Sequence, residues 1–172
     1  MRRALMLSLV LGLACSGGLL TGCAATGEAD SQPYVEAAAP AVPARSLPLL
    51  GSWSGDFPVA QLDLLPAGQR QASAGYIADD KTFVAVWRAF QPRQELPEVD
   101  FSTQLVVFSR NVTFYNRTSI LKVILENGVA QVLAMETMSA MPIEDKVAMA
   151  LAVIPRAGVL FLASDGRNIE VR

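Results

Sequence analysis

The stretch "SILKVILENGVAQVLAM", Ser119 to Met135, contains two apolar runs separated by Asn127-Gly128. An Asn-Gly pair between such runs is a strong signal for a β-hairpin, because a type I′ turn needs positive φ at both central residues. With these two residues as the loop, Val123 faces Val132 across the pair. The sequence therefore predicts an antiparallel strand pair here.

The same register assigns each side chain of this hairpin to a face. Strand side chains alternate, so a shift of one residue would exchange the two faces. One face is predicted to carry Leu121, Val123, Leu125, Ala130, Val132 and Ala134, and the other Ile120, Lys122, Ile124, Gln131 and Leu133. The register is thus a testable prediction.

The segment "DDKTFVAVWRAFQP", residues 79–92, has the clearest helical pattern. Its apolar stripe at i, i+3, i+4 and i+7 consists of Phe83, Val86, Trp87 and Phe90. Asp79 or Asp80 can cap the first turn, and Pro92 disfavours helix at the preceding residue. A helix over about 80–91 is predicted, with a sheet face as the expected partner of the stripe.

Other short runs are typical of strands. They are "GSWSGDFPVAQLDLL", "QASAGYIAD", "TQLVVFSR", "IEDKVAMALAVIPRAG", and the pair "GVLFLA" and "NIEV" around Asp165-Gly166. Pro142 and Glu144 resemble a helix start, but the alternation that follows favours a strand ending at Pro155. Pro58 argues against a central strand at its position. The predicted fold class is α+β, an antiparallel sheet of hairpins packed against one main amphipathic helix.

The chain begins "MRRALMLSLVLGLACSGGLLTGC", a basic start followed by a short apolar run, which is typical of a secretory signal. Its end, Leu20-Thr21-Gly22-Cys23, resembles the lipobox of bacterial lipoproteins. That resemblance implies that Cys23 is acylated, for example with palmitate, and becomes the mature N-terminus. Cys15 fits the pattern less well, and the alternative is a plain signal peptide cut near Ala25.

Three regions are predicted: a lipoprotein signal peptide over residues 1–22, a flexible tether rich in Ala and Pro over 23–49, and a single α+β domain over 50–172. The expected location is the bacterial cell envelope, anchored to the membrane by lipid. Ala24 in place of Asp favours the outer membrane, facing the periplasm, by resemblance to Gram-negative lipoproteins.

Composition narrows the chemistry. The 172 residues include no histidine and two cysteines, and the net charge is -2. The usual general base and the commonest metal ligand are therefore missing, and no nucleic-acid partner is indicated. Ser119 to Lys122 matches S-x-x-K, but the two motifs that accompany it in penicillin-recognising enzymes do not occur. We predict no catalytic residue, no cofactor and no enzymatic activity.

A polar cluster, "RNVTFYNR", separates two apolar runs and contains two Asn-x-Thr triplets. In a bacterial envelope these triplets are chance matches to the glycosylation pattern. Arginine and tyrosine are favoured at protein interfaces. The candidate partner-binding residues are Arg110, Asn111, Tyr115, Asn116 and Arg117. The alternative is an ordinary loop in which an arginine pairs with Glu136 or Asp100.

Met135, Met138 and Met141 form M-x-x-M-x-x-M, and thioether sulfur suits Cu(I). The alternative is that these methionines fill irregular gaps in the core. This run is the basis of a second functional hypothesis, a small-ligand or Cu(I)-binding periplasmic lipoprotein.

The segment "FVAVWRAF" and the later "LPEVDFSTQLVVF" together resemble the C-terminal domain of PrcB-type protease-complex lipoproteins. The matching residues are Trp87, Pro97, Val99, Asp100 and Phe101. In place of that family's glycine-rich turn, this chain has "FYNRTSI". The resemblance implies an α+β fold and a non-catalytic accessory role. The leading hypothesis is a lipid-anchored binding module that contacts another envelope protein.

Overall fold

The computed structural model describes residues 43–111, 117–137 and 145–172. Within these ranges it contains nine strands, a 3-10 helix over Val59–Leu64 and an α-helix, α1, over Asp80–Phe90. The strands are β1 (Arg45–Leu47), β2 (Gly51–Pro58), β3 (Ala74–Ile77), β4 (Gln104–Arg110), β5 (Arg117–Glu126), β6 (Val129–Thr137), β7 (Lys146–Pro155), β8 (Phe161–Ser164) and β9 (Arg167–Glu170). None of the helices in these ranges has the length and apolar character needed to span a bilayer.

The strands form two sheets, with the orders β1-β5-β6-β8-β9 and β2-β7-β4-β3. Every strand pair is antiparallel except β6 with β8. The α+β class with mainly antiparallel strands is confirmed. The expectation of a single sheet of hairpins is wrong, because β7 pairs with β2 and β4 rather than with its neighbour β6.

The four-stranded sheet is buried on both faces. Along β4, Leu105 and Val107 belong to the apolar cluster shared with the five-stranded sheet. Val106 and Phe108 belong to the cluster shared with α1. Strand β7 alternates in the same way. A strand buried on both faces reads as a continuous apolar run, which explains the sequence of "KVAMALAVIP".

The helix α1 is placed by its cap and its apolar stripe. The Asp79 carboxylate accepts a hydrogen bond from the Thr82 backbone N–H at 2.8 Å. All four predicted stripe residues are buried. The Trp87 ring lies edge-on to Trp53 of β2, with 5.1 Å between ring centroids. The end of α1 is therefore held close to β2.

The predicted hairpin register is confirmed, since Val123 pairs with Val132. The turn residues Asn127 and Gly128 have φ values of 49° and 80°, as a type I′ turn requires. The faces differ from the prediction at one point. The register shifts between Ile120 and Lys122, so that Ile120 is buried and Leu121 is 59% exposed. A β-bulge of this kind re-aims the side chains on one side of it.

Strand β1 corrects the predicted start of the domain. It lies inside the segment 23–49 for which we predicted a flexible tether, yet it pairs with β5 and buries Leu47. The folded domain thus begins before residue 50. The predicted signal peptide and Cys23 lie outside the described residues.

Candidate functional site at the edge of β2

The predicted partner-binding residues separate into different environments. Arg110 is 4% exposed and Asn111 8% exposed, so neither offers an interaction surface, and that part of the prediction is wrong. Tyr115 and Asn116 lie outside the described residues. Arg117 is exposed at the start of β5. Of the described candidates, Arg117 is the one placed to meet a partner.

Arg110 instead fastens the loop that precedes β3. Its Nε donates to the carbonyl of Ala72 at 2.8 Å, and its Nη2 to the carbonyl of Arg70 at 2.5 Å. Burial lowers the pKa of the guanidinium, and the charge of Asp165 opposes that shift. Arg110 is on the α1-facing side of β4, in line with Phe108.

The direction of the β2 backbone groups follows from one hydrogen bond. The Val59 N–H donates to the Asp145 carbonyl at 3.0 Å, directly beyond the pair of Pro58 with Lys146. Bonding alternates along an antiparallel pair, so odd-numbered residues of β2 bond to β7 and even-numbered residues point away from the sheet. Pro58, which has no N–H, occupies an outward position, as proline in an edge strand should.

The outward groups of β2 are largely open. The Ser54 carbonyl accepts one long bond, from Gln91 Nε2 at 3.4 Å. Among the described residues, nothing accepts a hydrogen bond from the N–H of Ser52 or of Ser54. Both residues are exposed. This half of β2 is therefore a sheet edge whose outward N–H groups have no acceptor in the described part of the chain.

The opposite edge of the same sheet, β3, is closed by side chains. The Tyr76 N–H donates to Gln69 Oε1 at 2.7 Å. The Ala74 N–H donates to Ser164 Oγ at 3.2 Å. The same alternation of bonding makes these the outward N–H groups of β3. One edge is thus capped and the other is not.

Two cavities flank β2, and both are lined by Ser54, Gly55 and Asp56. The larger, about 630 Å³, lies towards the end of α1, and its other lining residues are Pro58, Ala89, Phe90, Gln91, Pro92, Gln94, Asp145 and Lys146. The smaller, about 310 Å³, lies towards β5 and is completed by Arg117 and Ser119. We call the two cavities and the strand between them the β2 groove.

The charges in the β2 groove are of both signs. Lys146 Nζ lies 2.5 Å from Asp56 Oδ2, and both side chains are partly exposed. The hydrogen bond and the charge of Asp56 raise the pKa of Lys146. Ser54 Oγ and Ser119 Oγ are 3.2 Å apart and join β2 to β5. The side towards β5 is therefore polar, whereas Phe90 and Pro92 give the other side an apolar wall.

The methionine run is described only in part. Met135 is 52% exposed, and Met138 and Met141 lie outside the described residues. Within the described ranges, no three His, Cys, Asp or Glu side chains are grouped so that they could hold a metal ion. The Cu(I) hypothesis therefore stays a prediction.

Comparison of the chain with known protein families, with curated proteins and with solved structures finds no match. The resemblance to the PrcB-type domain stays a prediction. The groove residues Ser54, Asp56, Gln91 and Lys146 were not predicted as a site. Only Pro58, which marked β2 as an edge strand, pointed towards it.

Proposed function

We propose that the protein is a lipid-anchored accessory module of a bacterial envelope that binds another envelope protein in the β2 groove and catalyses no reaction itself. The observation that carries the proposal is an open strand edge between two cavities of different polarity. Edges of this kind are normally blunted or covered, because they invite pairing with another chain. An edge left open in this way is suited to binding.

The sequence supports the other parts of this proposal. The ending Leu20-Thr21-Gly22-Cys23 fits acylation at Cys23, and acyl chains provide an anchor without a spanning helix. The absence of histidine from the whole chain removes the commonest acid–base catalyst. Both cysteines precede residue 24 and leave the domain without a thiolate nucleophile.

A photo-crosslinking amino acid placed at Gln94 in the full-length protein tests the binding surface in the cells that make it. Gln94 lines the larger cavity and is exposed. The matched control carries the crosslinker at Asn168, an exposed residue of β9. We expect one envelope protein to be crosslinked from Gln94 and not from Asn168. Equal products from both positions, or no protein product from Gln94, would contradict the proposal.

The anchor has a separate test. Cys23→Ser should move the protein from the membrane fraction to the soluble fraction after cell lysis, because the acylated residue is lost. Cys15→Ser is the matched control and should leave fractionation unchanged. If the Cys23→Ser protein stays in the membrane fraction at the wild-type level, lipidation at this position is wrong.

The alternative is binding of Cu(I) or another small ligand through Met135, Met138 and Met141. Titration of the full-length protein with Cu(I) against a competing chelator tests it. Met135→Leu together with Met138→Leu should weaken binding at least tenfold if the run is a site. No described contact favours this alternative over the β2 groove.

A further inference from the structure

We infer that the partner is held by strand addition: an extended segment of another envelope protein pairs with β2 and places alternate side chains in the two cavities of the β2 groove. This inference rests on the proposed function and specifies the chemistry of the partner. In such binding, main-chain hydrogen bonds supply affinity and pockets for alternate side chains supply specificity.

The backbone of β2 offers the required groups. The N–H groups of Ser52 and Ser54 point away from β7 and have no protein acceptor among the described residues. They are two residues apart, which is the repeat at which a paired strand receives hydrogen bonds. Pro58 ends this series, since it has no N–H to donate. The added segment therefore pairs with the first part of β2.

The two cavities determine the side chains of the segment. Side chains of a strand point alternately to opposite faces. A strand beside Ser54 and Gly55 would direct one set towards Phe90 and Pro92 and the other towards Arg117 and the hydroxyls of the smaller cavity. The matching segment alternates aliphatic with polar or acidic residues, the acidic ones facing Arg117.

Gly55 lets the end of α1 approach β2 closely. A Cβ at this position would lie 2.8 Å from Gln91 Nε2 and 3.1 Å from Phe90 Cε2. Because the residue is glycine, Gln91 and Phe90 can reach the strand and form one wall of the larger cavity.

A second copy of this chain fits the groove poorly. Paired edge to edge, a second β2 would bring Trp53 and Phe57 on its apolar side, but both already pack in the cluster beneath the α1 of their own copy. It would have no free apolar side chain for the larger cavity. On its polar side it would bring Asp56, whose carboxylate already pairs with Lys146. These facts favour a foreign segment.

Gln91 competes with the segment for one position. Its amide donates to the Ser54 carbonyl at 3.4 Å, where an added strand would place a backbone N–H. The long distance makes this a weak bond that is easily exchanged. Gln91→Ala should therefore strengthen binding of the segment by two- to fivefold.

The test begins with the full-length protein in detergent micelles and a displayed library of random ten-residue peptides. Enriched peptides should alternate aliphatic with polar or acidic residues, and the most enriched one is synthesised with a fluorophore. Its binding is measured by fluorescence anisotropy. Enrichment without alternation, or no enrichment, overturns the inference.

Two substitutions at Ser54 separate the backbone from the side chain. Ser54→Pro removes the outward N–H and should weaken binding at least tenfold, while edge positions of this kind tolerate proline. Ser54→Ala keeps the N–H and loses only the hydroxyl that contacts Ser119, so it should bind several-fold more tightly than Ser54→Pro. Circular dichroism checks the fold of both variants. Equal binding by Ser54→Pro and wild type overturns strand addition.

If Ser54→Pro does not fold, strand addition is tested instead with modified peptides and the wild-type protein. N-methylation of its backbone one residue at a time should weaken binding at every second position, because alternate N–H groups face β2. A uniform or random pattern overturns the inference, as does sedimentation showing a dimer that Ser54→Pro converts to monomer. Failure of the proposed function is distinct: Gln94 then crosslinks no protein at all. If a partner is captured and Ser54→Pro leaves its capture unchanged, only strand addition is wrong.

Discussion

The two edges of the four-stranded sheet end in different ways. At β3, a buried glutamine and a buried serine accept the outward N–H groups. At β2, a half-buried glutamine reaches a single carbonyl at 3.4 Å, and the N–H groups of Ser52 and Ser54 face outward. Capping an edge therefore requires side chains from other parts of the chain. The loops that carry these side chains must themselves be held in place by hydrogen bonds.

The side chains that cap the N–H groups of β3 come from outside that strand. Gln69 comes from the loop held by Arg110, and Ser164 comes from the last hairpin. Asp165 of that hairpin accepts bonds from the hydroxyl and the N–H of Ser73 at 2.6 and 3.0 Å. The hydrogen bonds of the buried Gln69, Arg110 and Ser164 side chains are costly to break, because the group left behind would have neither a protein partner nor water. Stability should thus depend on the β3 edge and very little on β2.

The largest difference between the edges is expected for the two arginines of the predicted polar cluster. Arg110→Met leaves the carbonyls of Ala72 and Arg70 without their charged donor, which should cost roughly 3 to 5 kcal/mol of unfolding free energy. Arg117→Met, at an exposed position, should cost less than about 0.5 kcal/mol. Urea denaturation of the two variants measures both. Similar losses of unfolding free energy in the two variants would contradict the proposed difference between the β3 and β2 edges.

The glycines that face the two edges provide the next pair. A Cβ at Gly75 would collide with the ring of the buried Phe108 and with Gln69 Oε1. Gly75→Ala should therefore destabilise the fold by about 3 kcal/mol, through overpacking and displacement of the cap. At Gly55 the closest atom is the flexible end of Gln91, so Gly55→Ala should cost less than about 1 kcal/mol. Thermal unfolding of both variants at the same protein concentration measures which substitution lowers the melting temperature more.

The capping glutamines can be removed directly. Gln69→Leu leaves the N–H of the buried Tyr76 without an acceptor, with an expected loss of about 2 kcal/mol. Gln91→Leu removes only a long bond at a partly exposed site and should change stability by less than about 0.5 kcal/mol. Amide hydrogen exchange at Tyr76 should quicken in the first variant and stay unchanged in the second. An unchanged rate in both would show that Gln69 is not the cap.

The smallest expected effect is electrostatic and depends on pH. Hydrogen bonds from Ser73 lower the pKa of Asp165 below its ordinary value of 3.8. A carboxyl whose pKa is lower in the folded state stabilises the fold above the unfolded value and loses that contribution as pH falls through the folded value. Asp165→Asn should cost about 1 kcal/mol at neutral pH and less at about pH 3.

Asparagine also tolerates the positive φ of 50° at this position, so backbone strain does not confuse the measurement. The control is Asp56→Asn at β2, which removes an exposed carboxylate paired with Lys146 and should change the melting temperature much less. Melting temperatures from pH 3 to 7 give both comparisons. If Asp165→Asn lowers the melting temperature equally at pH 3 and pH 7, the ionised carboxylate is not the source of the stabilisation.

Local patterns predicted the elements, and non-local pairing decided their arrangement. The helix stripe, the two Xaa-Gly turns and the alternation before Pro155 depend on neighbours within a few residues, so the sequence was sufficient for α1, β5–β6, β7 and β8–β9. The division into two sheets depends on β7 choosing β2 and β4. No periodicity within the sequences of β2, β4 and β7 specifies which of these strands pair. The three residues of β1 are too short to form a pattern and are fixed by β5.

The site was harder to predict for the same physical reason. The roles of Gln69 and Ser164 exist only once β3 lies beside the loop and the last hairpin, and nothing in their sequence neighbours marks them as caps. Arg110 and Arg117 are chemically alike and seven residues apart, yet one is buried and the other exposed. The alternation of side chains along β4 distinguishes Arg110 only after its strand partners are known.

Strand β1 has a mechanical consequence. A pulling force transmitted through the residues before Pro43 would reach the fold at Arg45–Leu47, three residues whose one strand partner in the described ranges is β5. Under load this short edge would detach first, and buried Leu47 is the side chain that resists. The groove residues Arg117 and Ser119 lie at the other end of β5 from the residues that pair with β1, and the pairing of β2 to β7 extends over the whole of β2. Detachment of β1 would therefore lengthen the protein without removing the strand partner of β2.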